Sequence, residues 1–307
     1  MTSTKDYIAI DIAKNSLQVQ APDKACALTY DSEGLKELLG MTSKNTVVVC
    51  EATGGYERTL ISFLNEKKVP VALVSPDRVR AFAKSDGLRA KTDPLDAAIL
   101  LRFAQQKHPA ILAPVSKELA RIAALLDRRS HLSEMLAQEK NRLENSSPLI
   151  RRNLLKMIRL LESEIKALDG RIRKVVRSEQ SLHQKEQVML EVTGVGEITA
   201  WTILAYLNEI TLTSRSKIAA LAGVAPFNKD SGKTIKRRHI QAGRAKVRRV
   251  LYMATKTAAI HNPHIKAYVD RLRFEKGKPY KWAIVAAMRK LLIHLQVRLK
   301  EHEISVA

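Results

Sequence analysis

Four carboxylates stand where a hard cation could be held. Asp11 ends the apolar run Tyr7-Ile8-Ala9-Ile10, and Glu51 ends a second, Val47-Val48-Val49-Cys50. Asp93 and Asp96 sit three apart in Lys91-Thr92-Asp93-Pro94-Leu95-Asp96-Ala97, a spacing that puts both on one helical face. Carboxylates gathered together repel one another unless a cation neutralises them. Mg2+ takes carboxylate, water and phosphate oxygens as ligands. Held by such a cluster, it polarises a scissile phosphate and stabilises the leaving oxygen. Each acid alone has an ordinary explanation: Asp93 as a helix N-cap, Glu51 as the residue before the Thr53-Gly54-Gly55 turn. The four together, in a chain otherwise built to attract a polyanion, point to a metal site at Asp11, Glu51, Asp93 and Asp96.

A second group lies at Asn228-Lys229-Asp230-Ser231-Gly232-Lys233. A serine in such a run is ordinarily a turn residue. Here Lys233, Lys236, Arg237, Arg238, Arg244, Lys246, Arg248 and Arg249 follow it. These cations could hold a phosphate and stabilise the charge that develops in its transition state. Attack of the Ser231 hydroxyl on that phosphorus would give a covalent phosphoserine. The plainer reading of the cluster is binding of a nucleic-acid backbone without catalysis. Acids, metal and water alone would hydrolyse a strand and discard the bond energy. A serine ester retains it, so a chain with both parts points to DNA rearrangement.

Charge follows the same division. The 307-residue chain carries a net charge of +22 and a pI near 10.1, which favours nucleic acid or an anionic surface as partner. Residues 1–112 hold 15 Lys/Arg against 13 Asp/Glu, residues 113–185 hold 16 against 9, and residues 186–307 hold 22 against 9. Cys26 and Cys50 form neither a metal-ligand spacing nor a disulfide framework, which fits a reducing compartment. No signal pattern opens the chain, and no apolar run approaches bilayer length. A soluble, cytoplasmic protein with no membrane partner is the expectation.

The elements that must position these residues follow from periodicity. Short apolar runs at 7–12, 16–21, 25–30, 46–50 and 69–74 read as strands, the first three as an antiparallel meander. Helices are expected over Ser32 to Leu39, Tyr56 to Lys67, Pro76 to Lys84 and Asp93 to Gln106. Three strands, helix, strand, helix, strand, helices is the order of a ribonuclease H-like layer. Residues 116–145 and 151–180 read as long helices. The second has a seam at Leu154, Ile158, Leu161, Ile165, Leu168, Ile172 and Val175, alternating steps of four and three as a coiled coil does. It serves either an intramolecular hairpin or an oligomerisation arm. Thr193-Gly194-Val195-Gly196 joins two apolar helical segments as in a helix-hairpin-helix. Backbone N–H groups at Gly194 and Gly196 could meet a phosphate there, or the turn is simply tight. Three further helices are expected at Ala242–His261, His264–Arg273 and Lys281–Lys300. The fold class is α/β plus α. The domains are 1–112 with the acids, a helical arm at 113–185, and a helical unit at 186–307 with the serine.

On these residues the chain resembles the DEDD transposases of the insertion-sequence-110 family, serine recombinases guided by a bridge RNA, with pilin-gene invertases among their relatives. Tyr7-Ile8-Ala9-Ile10-Asp11-Ile12-Ala13-Lys14, Glu51-Ala52-Thr53-Gly54-Gly55-Tyr56 and Gly87-Leu88-Arg89-Ala90-Lys91-Thr92-Asp93-Pro94-Leu95-Asp96-Ala97 match the three acidic motifs. Leu221-Ala222-Gly223-Val224-Ala225-Pro226, then Ser231-Gly232-Lys233, match the C-terminal motif, although Val247-Arg248-Arg249 stands where Leu-Arg-Arg is common. The resemblance implies a ribonuclease H-like domain, a coiled-coil arm and a C-terminal transposase domain. It implies Mg2+ on the four acids and Ser231 as nucleophile, with the acids of one protomer meeting the serine of another. Donor and target DNA, a structured guide RNA and a homodimer or homotetramer are the implied partners. A site-specific DNA invertase, a junction-resolving nuclease and a non-catalytic nucleic-acid scaffold are the alternatives.

Overall fold

A computed structural model of the chain describes residues 6–52, 54–87, 93–112, 115–227 and 239–306, with the side chains of 93–95 outside that description. Two compact units emerge, Met1–Val115 and Ser116–Ala307.

The first unit runs β1 (Asp6–Ile12), β2 (Ser16–Gln20), β3 (Ala25–Thr29), α1 (Ser32–Gly40), β4 (Thr46–Glu51), α2 (Glu57–Glu66), β5 (Val71–Val74), α3 (Pro76–Ser85) and α4 (Asp93–Lys107). The sheet order is β3-β2-β1-β4-β5. The first three strands pair antiparallel, as the meander predicts, while β4 runs parallel to both β1 and β5. Strand side chains alternate between faces, and both faces are covered. Ile8, Ile10, Val48 and Cys50 pack with Leu35 and Leu38 of α1 and Leu60 and Leu64 of α2. Tyr7, Ala9, Val47 and Val49 pack with Phe82 of α3 and Ile99, Leu100, Phe103 and Ala104 of α4. Burial on both sides explains why β4 reads as an unbroken apolar run. This mixed sheet is consistent with the expected ribonuclease H-like layer.

The second unit is almost wholly helical. α5 (Lys117–Glu144) and α6 (Pro148–Ser178) form an antiparallel hairpin. The predicted seam packs within the chain, with Leu161 and Leu168 against Leu132 of α5. Arg129 grips Asp169 across the pair through two hydrogen bonds of 2.6 and 3.3 Å. Next come α7 (Gln180–Leu190), α8 (Glu197–Tyr206), a 3₁₀ turn at Asn208–Ile210 and α9 (Arg215–Leu221). A two-stranded ribbon of β6 (Pro226–Phe227) and β7 (His239–Ile240) precedes α10 (Ala245–His261), α11 (Pro263–Asp270) and α12 (Tyr280–Val306). Ile122 and Ile172, at the hairpin's base, share one core with Trp201, Leu251, Leu292 and Leu295. Inside it the Trp201 indole donates to Glu186 at 2.5 Å, so the buried carboxylate has a partner.

Two boundaries differ from expectation for backbone reasons. α10 starts at Ala245 because Ala242 and Gly243 adopt positive φ values of 55° and 69°, which no right-handed helix accommodates. The helix expected over His264–Arg273 ends at Asp270, and a π-helical turn, Arg271–Glu275, follows it.

Candidate active site at the carboxyl ends of the central strands

Backbone register brings the first two acids together. Ile10 of β1 stands opposite Cys50 of the parallel strand β4. Asp11 and Glu51 are the next residue on each strand, and alternation places them on the face of Tyr7, Ala9, Val47 and Val49, which α4 covers. α4 runs against the direction of β1. Tyr7, near the start of β1, hydrogen-bonds at 3.3 Å to His108, just past the end of α4. The first turn of α4 therefore lies at the end of β1 that carries Asp11. Asp96 is one turn before Ile99 and Leu100, on the stripe that packs against the sheet. Asp93 opens the helix, and its side chain lies outside the described residues. Asp11, Glu51 and Asp96 are all half-buried. In open α/β sheets, ligands bind beyond the carboxyl ends of the strands.

The donor chemistry suits a hard cation, since every candidate supplies carboxylate oxygen. Among the described residues, no three such side chains approach closely enough to hold an ion by themselves. The neighbouring Cys50 supplies no soft ligand, because its side chain is buried on the opposite face, against α1 and α2.

The loop after Glu51 is braced by a residue that sequence reading missed. Gly54 and Gly55 take φ values of 63° and 113°, which side chains disfavour. Gly55 N–H donates to Glu57 Oε2 at 2.9 Å. Tyr30, just beyond β3, donates its hydroxyl to the Tyr56 carbonyl at 2.6 Å and accepts from Leu60 N–H at 2.9 Å. Burial raises the Tyr30 pKa, which keeps the donating proton in place. Nothing local to Tyr30 signals this contact, because its partners lie 26 and 30 residues away.

Ser231, Lys233, Lys236, Arg237 and Arg238 lie outside the described residues. On either side of them Phe227 pairs with His239 and Pro226 with Ile240, so residues 227 and 239 stand side by side. Below this ribbon two glycine backbones cross. A Cβ on Gly243 would meet Gly223 N at 2.3 Å, and both residues have φ of 69°. This crossing explains why glycine stands at Gly223 of the Leu221–Pro226 motif.

The described cations differ in their engagement. Arg244 clamps Glu209 through two bonds of 2.6 Å and donates to the Tyr206 carbonyl at 2.7 Å. Burial pushes the Glu209 carboxyl up, but Arg244 outweighs it and holds the group below its usual range. Arg248 donates to the Ala242 carbonyl at 2.6 Å. Arg249 reaches Glu134 at 3.0 Å and remains largely exposed. Gly194 has φ of 101°, and a Cβ there would strike Ala258 of α10 at 2.7 Å. Gly196 is exposed and caps α8. Glu197, next to it, is paired with Arg173 at 2.6 and 2.8 Å.

Comparison with known proteins bears on both units. The IS110-type DEDD transposase model matches residues 8–146, and the model for the transposase IS116/IS110/IS902 family matches residues 186–270. Together they cover well over half of the chain and both groups of candidate residues. The chain belongs to the IS110 family of DEDD transposases. Membership of the IS110 family makes it a DNA recombination enzyme acting on DNA. Pilin gene-inverting proteins of Moraxella lacunata and Moraxella bovis are 29% identical over 94% of both chains. The IS900 insertion-element 42 kDa protein of Mycobacterium paratuberculosis is 28% identical over 49% of this chain and 37% of its own. No helix among the described residues is long and apolar enough to cross a membrane.

Proposed function

We propose that this IS110-family enzyme cuts and rejoins DNA strands through a phosphoserine at Ser231, assisted by Asp11, Glu51, Asp93 and Asp96. The observation that supports this reading most is the β1–β4 register, which sets two like charges side by side at strand ends under the first turn of α4. Like charges so placed are explained by a ligand cation. Mg2+, when bound by these acids, would offset phosphate charge and polarise the scissile linkage. The Ser231 hydroxyl attacks phosphorus, an Oγ–P ester forms, and the P–O bond to one strand end breaks as that oxygen takes up a proton. Rejoining reverses the step with a hydroxyl from a new strand end. Lys233, Lys236, Arg237, Arg238, Arg248 and Arg249 hold the phosphate backbone. A structured bridge RNA selects donor and target, and the enzyme acts as a homodimer or homotetramer.

Full-length coverage by the pilin gene-inverting proteins, against half-length coverage by the IS900 protein, favours inversion of a segment between two sites as the biological outcome. Denaturing gels of reactions on labelled DNA test the chemistry. A covalent protein–DNA adduct lost in Ser231→Ala supports the serine. Cleavage to free ends without an adduct would indicate a resolving nuclease and overturn it. A plasmid with paired sites separates inversion from excision or insertion by product size.

A further inference from the structure

Past residue 270, where the match to the family model ends, the chain exposes aromatic rings among cations. Phe274 is 74% exposed, Trp282 47% and Tyr280 41%. The only other ring as open among the described residues is Tyr56, in the other unit. Phe274 sits on the π-helical turn Arg271–Glu275, a rare form of backbone that is frequent at functional sites. Its return is pinned: Lys276 N–H donates to the Arg271 carbonyl at 3.2 Å and Lys278 N–H to the Leu272 carbonyl at 2.9 Å, with Gly277 at φ of 59°. The rings are thus held out by fixed backbone.

Several cations of this unit are held by acids. Arg129, Arg173, Arg244, Arg249 and Arg298 each pair with a carboxylate. Among the described residues, Arg271, Arg273, Lys276, Lys278 and Lys281 have no such partner. Three of them lie on rings, Arg271 at 5.4 Å from the Tyr268 centroid. Arg273 stands 5.0 Å from the Phe274 centroid and 5.2 Å from that of Tyr280, bridging the two, and Lys278 stands 5.5 Å from Trp282. One acid, Glu275, accompanies these five cations between residues 271 and 282.

Exposed ring faces flanked by uncompensated positive charge fit a ligand with flat apolar groups spaced along a polyanion. That is a nucleic-acid strand with its bases unstacked. In a duplex the bases are stacked on one another and present only edges. We infer that Phe274, Tyr280 and Trp282 form a stacking platform for unpaired DNA, holding the strand that is opened when the enzyme acts on a duplex. This rests on the reading of the protein as a DNA recombinase, but it uses neither the acids nor Ser231.

Trp282 provides the readout. The other tryptophan, Trp201, is fully buried, so emission quenched by an added oligonucleotide comes from Trp282. With the full-length protein, a short oligo-dT should quench that emission, and a blunt duplex should bind with much less quenching. Phe274→Ala and Trp282→Ala should each weaken oligo-dT binding about tenfold by anisotropy. Both should leave duplex binding within about twofold, and Trp282→Phe should restore most of the single-strand affinity. Equal loss of duplex and single-strand binding, or unchanged oligo-dT binding, would overturn the platform. Oligo-U bound ten times more tightly than oligo-dT through the same rings would reassign the site to RNA. Quenching by anionic phospholipid vesicles but not by oligo-dT would make it a membrane surface. If the wild-type protein binds no duplex at all, the recombinase reading fails, whatever the platform does.

Discussion

The two units handle charge in opposite ways. In the first, the register of two parallel strands and the direction of α4 bring carboxylates to one end of a sheet. In the second, part of a strongly basic sequence is paired with carboxylates inside the fold. Arg129 meets Asp169, Arg173 meets Glu197 and Arg244 meets Glu209. Opposite charges in contact fix helix geometry and need no outside partner. Like charges in proximity disfavour one another's ionised form unless something offsets them. A count of basic residues therefore locates the nucleic-acid-binding unit without saying which cations reach DNA.

The largest expected effect tests the acidic half of that contrast. Asp11→Asn and Asp96→Asn should lower strand cleavage by at least 100-fold, since even residues that merely orient a metal ligand account for 10- to 100-fold. The melting temperature should hold, because Asn keeps the size of each half-buried side chain. A fall of several degrees in either variant, with cleavage intact, would make these acids part of the scaffold and break the comparison.

What the sequence made legible, and what it did not, follows the range of the forces. Strand runs such as Val47–Cys50 are local patterns, and the acids ending them stand out because they interrupt an apolar series. The seam of α6 was equally plain, but the sequence left open whether a second chain or α5 would fill it. Packing of Leu161 and Leu168 on Leu132 accounts for the seam within one chain. Contacts between distant residues left no trace. Tyr30 gives no hint that it braces the turn after Glu51, nor Arg244 that its partner is Glu209, 35 residues earlier. The start of α10 was misplaced by three residues because the positive φ at Ala242 comes from the crossing of Gly223 and Gly243, not from alanine's own preference. The rings at 274–282 form no periodic pattern, because Phe274 lies in a π turn and Tyr280 and Trp282 in the first turn of α12.

The glycine at 194 gives the next largest effect. The sequence offered it as a phosphate contact, whereas the contact on view is with Ala258. Gly194→Ala combines a strained φ with a Cβ 2.7 Å from α10. It should destabilise the protein by roughly 3 kcal/mol, a melting shift of the order of 10 °C. Gly196→Ala meets nothing within 4 Å and should leave stability nearly unchanged. If Gly196→Ala alone weakens duplex binding, the turn touches phosphate through Gly196. If neither substitution changes binding per folded molecule, the turn belongs to the scaffold.

The Glu209–Arg244 pair sharpens the opposite-charge side. Glu209→Gln leaves Arg244 half-buried without its counter-charge and should cost about 2 kcal/mol. The folded-state pKa of Glu209 lies below its usual value. Its contribution is therefore complete above the unfolded carboxylate value of about 4.3 and declines as pH falls through the lower folded value. Glu197, held down chiefly by its bonds to Arg173, works in the same direction. Thermal melts from pH 6 to pH 3 should show wild-type stability falling more steeply than that of Glu209→Gln. Parallel curves would mean that the pair contributes nothing by linkage.

The smallest effect falls on the residue that straddles both descriptions. Arg249 pairs with Glu134, yet its side chain is 70% exposed. An exposed pair of this kind contributes about 0 to 1 kcal/mol, so Arg249→Ala should shift the melting temperature by no more than about 3 °C. Phosphate contact would appear elsewhere. A cation that displaces one counterion from duplex DNA changes the slope of log affinity against log salt by about one unit. If Arg249→Ala lowers the slope by that amount, the Glu134 pair is a resting partner that yields to DNA. If the slope is unchanged, Arg249 joins Arg244 among the internally neutralised cations. Backbone contact is then left to Arg248 and the lysines and arginines of segment 228–238, which is where the chemistry proposed for Ser231 would need it.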